Sequence, residues 1–361
     1  MSKPCCIPDF IYSLENLATA IREGKHLLSC ELEILKLLAG FSGISPSARA
    51  VYHHLYHNFS TNYYDEIVDR TVLLYTGKAI VNDRGFSIDI LELKNSNFLS
   101  KSILLTENLT DTYFYEYIAK KYLRHKDYNF IEVKLKRDGG GGSQVANKFK
   151  EIIDANEDLC LCICDSDKKY PKGGEGDTVK SLRHVRMNQS LCELYCLKVR
   201  EAENIIPLSI FKIHKQYRNH NDFDELKVDH LFYIDYKQGL TNDKLLKDQD
   251  KKLFWKEVIA NVEHQDGVLI KGVGEKFLAN IKTLLTEDHL MYLESTISEK
   301  KKMQQEGKPI TDKYISILED QFKICKNPYE KLTKEYYDIW VEIALIIIRW
   351  CCGSRGLNVG I

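Results

Sequence analysis

Three mostly apolar stretches, each leading within a residue or two into acidic residues, constrain this chain more than anything else in it. Ser102-Ile103-Leu104-Leu105-Thr106 is followed by Glu107 and Asp111. Leu159-Cys160-Leu161-Cys162-Ile163-Cys164 leads to Asp165 and Asp167, and Tyr195-Cys196-Leu197-Lys198-Val199 leads to Glu201 and Glu203. A half-exposed strand alternates apolar and polar residues, whereas a continuous apolar run of this length suits a strand buried on both faces. Helical patterns occupy 110–123 and 145–155, a further strand is expected over 130–135, and a helix over 187–193 precedes the third run. Strands alternating with helices predict a parallel, Rossmann-like α/β domain over residues 101–208.

In an open α/β sheet, functional side chains collect at the carboxyl ends of the strands. The carboxylates of Glu107, Asp111, Asp165, Asp167, Glu201 and Glu203 should therefore meet on one rim. Like charges that close raise one another's pKa or demand a counter-ion, and an all-oxygen donor set selects hard cations, Mg²⁺ or Mn²⁺. Two such ions about 3.5 to 4 Å apart would clamp the attacking and leaving oxygens of a phosphodiester. Phosphodiester hydrolysis is the chemistry this pattern points to, and DNA and RNA satisfy it equally. Gly139, Gly140, Gly141, Gly142 and Ser143, between a strand and a helix, read as a backbone cradle for phosphate, with Lys134, Lys136 and Arg137 adding positive charge beside it. Lys198 and Arg200 stand where they would neutralise charge developing in a transition state.

Each motif alone has an ordinary reading. Acids at a helix start suit the helix dipole, and a glycine run can be a linker. Their order, each after an apolar strand, carries the chemistry. At these residues the chain resembles the Toprim nucleases: Glu107-Asn108-Leu109-Thr110-Asp111 looks like the E-G-x-x-D element, with asparagine in place of glycine, and Asp165-Ser166-Asp167 like the D-x-D. Arg200-Glu201-Ala202-Glu203-Asn204-Ile205-Ile206-Pro207 is similar to the R-E-I-E-N-Y-L-P element of OLD-family and related antiphage nucleases. The resemblance covers about 110 residues and implies a metal-dependent endonuclease acting in prokaryotic antiphage defence, with Glu201 and Glu203 completing the metal site and Glu203 preferred as the ligand. OLD proteins carry an ATPase, but no G-x-x-x-x-G-K-[ST] loop occurs here, so nucleotide-driven control would come from a regulatory partner, an ATPase in trans, or be absent. Two other readings stay open: a degenerate Toprim serving as a binding or assembly module, and a primase-like nucleotidyl transferase.

The flanks are less informative. Residues 1–100 read as an α+β module, helical to about 60 and then richer in strand formers, with a hairpin turn at Asn82-Asp83-Arg84-Gly85; His53, His54 and His57 read as ordinary helix histidines rather than a metal cluster. Residues 209–361 read as a mainly helical region for regulation, oligomerisation or substrate capture. Within it, 271–276 resembles the hairpin of a helix-hairpin-helix DNA-binding element, although Asp266-Gly267 leaves little room for the helix that should precede it. With 51 basic against 52 acidic residues, any nucleic-acid surface must be local. Eleven cysteines, an odd number without zinc-finger spacing, are expected to be reduced and mostly buried. No leader heads the sequence, and the apolar stretch beginning at Ile339 is interrupted by Glu342 and Arg349, so a cytoplasmic protein with no membrane contact is expected.

Overall fold

Leu14, Leu17 and Ile21 recur at helical spacing and form the buried stripe of α1 (Ile7–Arg22). The computed structural model describes residues 7–59, 72–76, 87–185, 191–214, 217, 221–241, 248–261 and 268–358. Helices α2 (Leu32–Gly40) and α3 (Pro46–His57) close on α1. Ser45 starts α3 by accepting the Ala48 N–H at 3.1 Å, with Pro46 at the first helical position. The N-terminal module has its own apolar core, in which Tyr52 donates to the Leu14 carbonyl at 2.8 Å. Strands β1 (Leu73–Tyr75) and β2 (Ser87–Asp89) pair in parallel, so they are not the arms of a hairpin, which joins antiparallel strands; the turn expected at 82–85 lies outside the described residues. His53 and His57 stack one turn apart on α3, with ring centroids 4.2 Å apart.

The middle of the chain follows as β3 (Ser102–Thr106), α4 (Leu109–His125), β4 (Glu132–Val133), β5 (Leu135–Gly139), α5 (Val145–Ala155), β6 (Cys160–Cys164), α6 (Asp177–His184) and β7 (Cys192–Cys196). A four-stranded sheet, all parallel, has the order β5-β3-β6-β7. Both faces are covered, as the apolar runs require. Leu104, Leu161 and Ile163 pack with α4 on one side, and Ile103, Leu105, Cys160, Cys162 and Cys164 pack with α5 and α6 on the other. The chain leaves β3 for β5 on one side and returns to β6 on the other, so the strand order reverses between β3 and β6. At such switch points open α/β sheets hold their ligands.

Two local expectations fail. A helix before the third strand is α6, on which Val179 and Leu182, three residues apart, are fully buried despite the glycines just before it; of the helix expected over 187–193, residues 192 and 193 lie in β7 and 187–190 lie outside the described residues. The third strand is Cys192–Cys196 rather than 195–199, because its register is set by pairing Cys160 with Cys192, leaving 197–200 to turn across the sheet end.

Residues after 208 contribute α7 (Leu208–Phe211), α8 (Val228–Leu231), β8 (Gly239–Thr241), α9 (Gln249–Phe254), α10 (Lys256–Asn261), β9 (Val268–Lys271), α11 (Glu275–Leu284), α12 (Glu287–Gln305), α13 (Asp312–Lys326), α14 (Lys334–Cys351) and β10 (Cys352–Gly353). Strand β9 pairs antiparallel with β8, so residues 271–276 follow a strand and are not the hairpin of a helix-hairpin-helix element. Helix α14 covers the same face of the sheet as α4, and a single apolar cluster runs from Leu104 to Cys351; the middle and C-terminal regions share one core. Trp340 of α14, fully buried, donates its indole N–H to the Ile205 carbonyl at 2.7 Å. Removing a buried aromatic of this size costs about 3–5 kcal/mol. Strand β10 pairs antiparallel with β4 at the edge of this core. Among the described residues no helix is long and apolar enough to cross a membrane, and none of the nine described cysteines is in a disulfide.

Candidate active site

Strand β3 ends at Thr106, whose hydroxyl donates to the Asn108 carbonyl at 2.6 Å. Asn108 has an extended backbone (φ −122°) and caps α4, its side chain accepting the Thr110 N–H at 3.1 Å. An asparagine therefore stands where the resembled motif has glycine because this turn needs a helix cap rather than an unusual backbone angle. The cap directs Glu107 above the sheet end and Asp111 one turn into α4.

On the next strand, the Asp165-Ser166-Asp167 loop is clamped from several sides. The Ser166 and Asp167 amides both donate to the Arg200 carbonyl at 2.9 Å, the Ser166 hydroxyl donates to the Val199 carbonyl at 2.5 Å, and Asp165 accepts the Ala202 amide at 2.9 Å. Asp167 is held in the left-handed region (φ 56°), and Gly176 lies so close that a Cβ there would meet the Asp167 carboxylate at 2.0 Å. The third element, 200–205, ends in a 3-10 turn at Ala202–Ile205. Asn204 pins it: its side chain accepts the Glu201 amide at 3.0 Å and donates to the carbonyls of Leu231 at 2.6 Å and Ile234 at 2.9 Å.

The six carboxylates meet electrostatically, but they divide into two sets. Lys282 of α11, buried, contacts Asp111 directly and lies 3.2 Å from Glu203. Lys237 lies 3.1 Å from Glu201 and 3.7 Å from Glu203, and Arg200 sits 3.2 Å from Glu201 and 2.9 Å from Asp235. Burial opposes ionisation of Glu203, but Lys282 and Lys237 outweigh it and hold this carboxyl below its ordinary value. Burial also opposes charge on both lysines, yet the surrounding acids hold them above the usual lysine range. Burial lifts Asp111, with Lys282 opposing.

Among the described residues no ion pair holds the second set, although the charges of Lys282 and Lys237 reach Asp165. Glu107 is pushed up to about 7 by burial and then by Asp167, and its Oε1 is buried with no hydrogen-bond partner. Asp165 is raised well above the carboxylate range by burial, then by Glu203, Asp111 and Glu107. Among the described residues no three His, Cys, Asp or Glu side chains stand, as placed, in a set that could hold a metal ion. The all-oxygen donor chemistry is nonetheless of the kind a hard divalent cation takes, with Glu107, Asp165 and Asp167 as the acids in no ion pair among the described residues.

Other expected site residues are placed differently. Lys198 is exposed and pairs with Glu342 of α14 at 2.6 Å, turned to a structural contact. The glycine run is not an open cradle: Gly139 donates to the Asp138 side chain at 2.9 Å, Gly140 to the Thr106 carbonyl at 2.7 Å and Gly142 to the Glu107 carbonyl at 3.0 Å. A Cβ on Gly140 would meet Val145 at 2.3 Å, so the run lets α5 approach the end of β3 and fixes the backbone at Glu107. Arg137 pairs with Glu116 and stacks over Tyr113 instead of facing a phosphate path. Sequence reading missed Lys282, Lys237 and Asp235. A local signal existed for the first, since Lys282 falls four residues after Leu278 and three before Leu285, a lysine within an apolar stripe.

Comparison of the chain with protein-family models, curated proteins and solved structures returns no significant match.

Proposed function

We propose that this chain is a divalent-metal-dependent nuclease of Toprim type that hydrolyses phosphodiester bonds of DNA or RNA. The observation that carries the reading is the set Glu107, Asp165 and Asp167 at the carboxyl ends of adjacent central strands β3 and β6, across the switch point, held by no ion pair among the described residues and with a Glu107 oxygen buried without a partner. Carboxylates are costly to hold there for folding alone, and a divalent cation removes that cost. When bound, Mg²⁺ or Mn²⁺, two ions in the fullest form of the proposal, would supply charge neutralisation for the attacking and leaving oxygens of a phosphodiester. The chain's own residues do the rest. Glu107, Asp165 and Asp167 would hold the ion, the clamped Asp165-Ser166-Asp167 loop keeps its donors in place, and Lys282 and Lys237 pair with Asp111, Glu201 and Glu203 beside it, holding the Glu203 carboxyl below its ordinary value. Glu203 is proposed as the ligand that the third strand end adds to these acids, leaving Lys282 for the ion; a crystal soaked in Mn²⁺ with ions on Glu107 and Asp165 but Glu203 still on Lys282 would move that role to Glu201. The resemblance extends the proposal to a role in prokaryotic antiphage defence, with a regulatory partner, an ATPase in trans, and self-association of the chain as parts of it.

The direct test is cleavage of single- and double-stranded DNA and RNA with Mg²⁺, Mn²⁺ or EDTA. Activity that needs the metal and vanishes in folded Glu107→Ala supports the reading, and full activity in EDTA sinks it. A second reading, a binding or assembly module, draws on Lys282 and Lys237, which already balance three of the six acids as a structural ion network would. Calorimetric titration with Mn²⁺ separates the two, since the module requires no metal binding.

A further inference from the structure

Two pairs of cysteines stand opposite one another across β6 and β7. The register sets Cys160 beside Cys192 and Cys164 beside Cys196, with Cys162 and Leu194 on the rung between them. Side chains two residues apart on a strand share a face, so all four thiols lie on the side of the sheet that α5 and α6 cover. Neighbouring strands run about 4.7–4.9 Å apart, inside the window of roughly 4.4–6.8 Å between Cα atoms that a disulfide accepts. Within each pair the two thiols are hydrogen-bonded. Both rungs therefore bring two sulfurs together at a spacing that a bridge can span.

The two rungs differ in access. Cys160 is fully buried and Cys192 nearly so, which closes that pair to solvent. Cys164 is buried as well, but Cys196 is the last residue of the edge strand β7 and is partly exposed. The hydrogen bond from Cys164 holds the Cys196 thiol below its ordinary value, with Arg183 and Lys168 acting the same way and burial and Glu175 opposing. At the inner rung the bond to Cys192 and burial push the Cys160 thiol well above its ordinary value. Oxidation of a thiol follows its exposure and thiolate character, so Cys196 is the group an oxidant reaches and Cys164 the neighbour that resolves the product.

We propose that Cys164 and Cys196 form a redox modification site, a register-paired dithiol that hydrogen peroxide converts reversibly to a disulfide. The Cys196 thiolate attacks one peroxide oxygen, the O–O bond breaks, and hydroxide leaves, so that Cys196 becomes a sulfenic acid. The Cys164 sulfur then attacks the Cys196 sulfur and loses its proton; the S–O bond breaks, and the departing hydroxide leaves with that proton as water. Two thiols have then given up two electrons, and one peroxide has become two waters. A small dithiol reverses the change by thiol–disulfide exchange, itself ending as a cyclic disulfide. The bridge closes the last rung before the Asp165-Ser166-Asp167 loop and the 197–200 turn that clamps it. The inference stands whatever the carboxylates hold.

The test treats the folded, reduced full chain with hydrogen peroxide in EDTA, blocks the remaining thiols in acid, and maps the cross-linked peptides by mass spectrometry without reduction. A peptide pair joined through Cys164 and Cys196 and lighter by two hydrogens should appear first, at least roughly tenfold faster than one joined through Cys160 and Cys192, and should vanish on treatment with dithiothreitol. In Cys164→Ser, which removes the resolving thiol, Cys196 should instead accumulate as a sulfenic acid that dimedone traps. The unsubstituted chain carries the decisive reading, so a variant that fails to fold leaves the test intact. Cys196 passing directly to sulfinic acid with no bridge to Cys164 overturns the proposal. Bridging of Cys160 to Cys192 at an equal rate does so too, because access would then not be what separates the rungs.

Discussion

The two halves of the carboxylate rim solve the same electrostatic problem in different ways. Asp111, Glu201 and Glu203 are balanced from within by Lys282, Lys237 and Arg200, two of which come from sequence or elements beyond the parallel sheet. Among the described residues Glu107, Asp165 and Asp167, on adjacent strand ends, are in no ion pair, and although Lys282 and Lys237 reach Asp165, it and Glu107 are lifted out of the ordinary carboxylate range. A fold that needed only to neutralise its own acids would treat both halves alike. The difference marks one half as framework and the other as the place where something from outside is met.

The strongest way to break this comparison is to remove Lys282. Lys282→Met leaves Asp111 as a buried acid without its ion pair and Glu203 with Lys237 alone, and should cost about 3–5 kcal/mol of stability by denaturant unfolding, much of it recovered when Asp111→Asn and Glu203→Gln are added. A Lys282→Met chain as stable as the parent would erase the framework half. Next, Asp165→Asn and Asp167→Asn should each lower metal-dependent cleavage roughly 100- to 1,000-fold and weaken Mn²⁺ binding, because an amide keeps the shape and removes the charge. Wild-type rates in both would place the chemistry elsewhere.

A smaller effect tests Glu107 through pH. Its carboxyl is raised from 4.5 to about 7, so between those values the folded chain binds more protons than the unfolded one, and stability falls as pH rises. Glu107→Gln, which cannot ionise, should therefore be more stable than the parent by about 1–3 kcal/mol at pH 8 in EDTA and show no such gain at pH 4. Thermal melts at the two pH values read this directly; a gain at pH 4 and none at pH 8 would reverse the assignment. The smallest effect belongs to Lys198. Its exposed pair with Glu342 predicts that Lys198→Ala changes stability by no more than about 1 kcal/mol and leaves the cleavage rate within about threefold. A large loss of cleavage would return Lys198 to the site.

What the sequence revealed and what it hid follow from the range of the interactions concerned. Ser102–Thr106 and Val145–Ala155 are read in place because local patterns decide them: a doubly buried strand must be continuously apolar, and Val145, Phe149 and Ile153 repeat every four residues. The third strand was displaced because register with β6, a partner some thirty residues away, fixes it more strongly than its own composition. Lys282 was out of reach for the same reason, being 171 positions from Asp111 in the chain. The glycine run was misread because composition alone cannot tell a loop that grips an anion from one that lets a helix close on a strand.

Helix α14 spans Lys334–Cys351, close to the end of the described chain, yet it covers one face of a sheet whose first strand begins at Ser102. On the ribosome, where synthesis proceeds at about 5–20 residues per second, more than two hundred residues separate the emergence of that strand from the emergence of its cover. Throughout that interval the face carrying Leu104, Leu161 and Ile163 has α4 but not α14 to cover it, and the Ile205 carbonyl lacks its Trp340 donor. The rim cannot be assembled on a partial product, so a nascent chain, or one cut short by a premature stop, holds the acids of the site without the framework that gathers them.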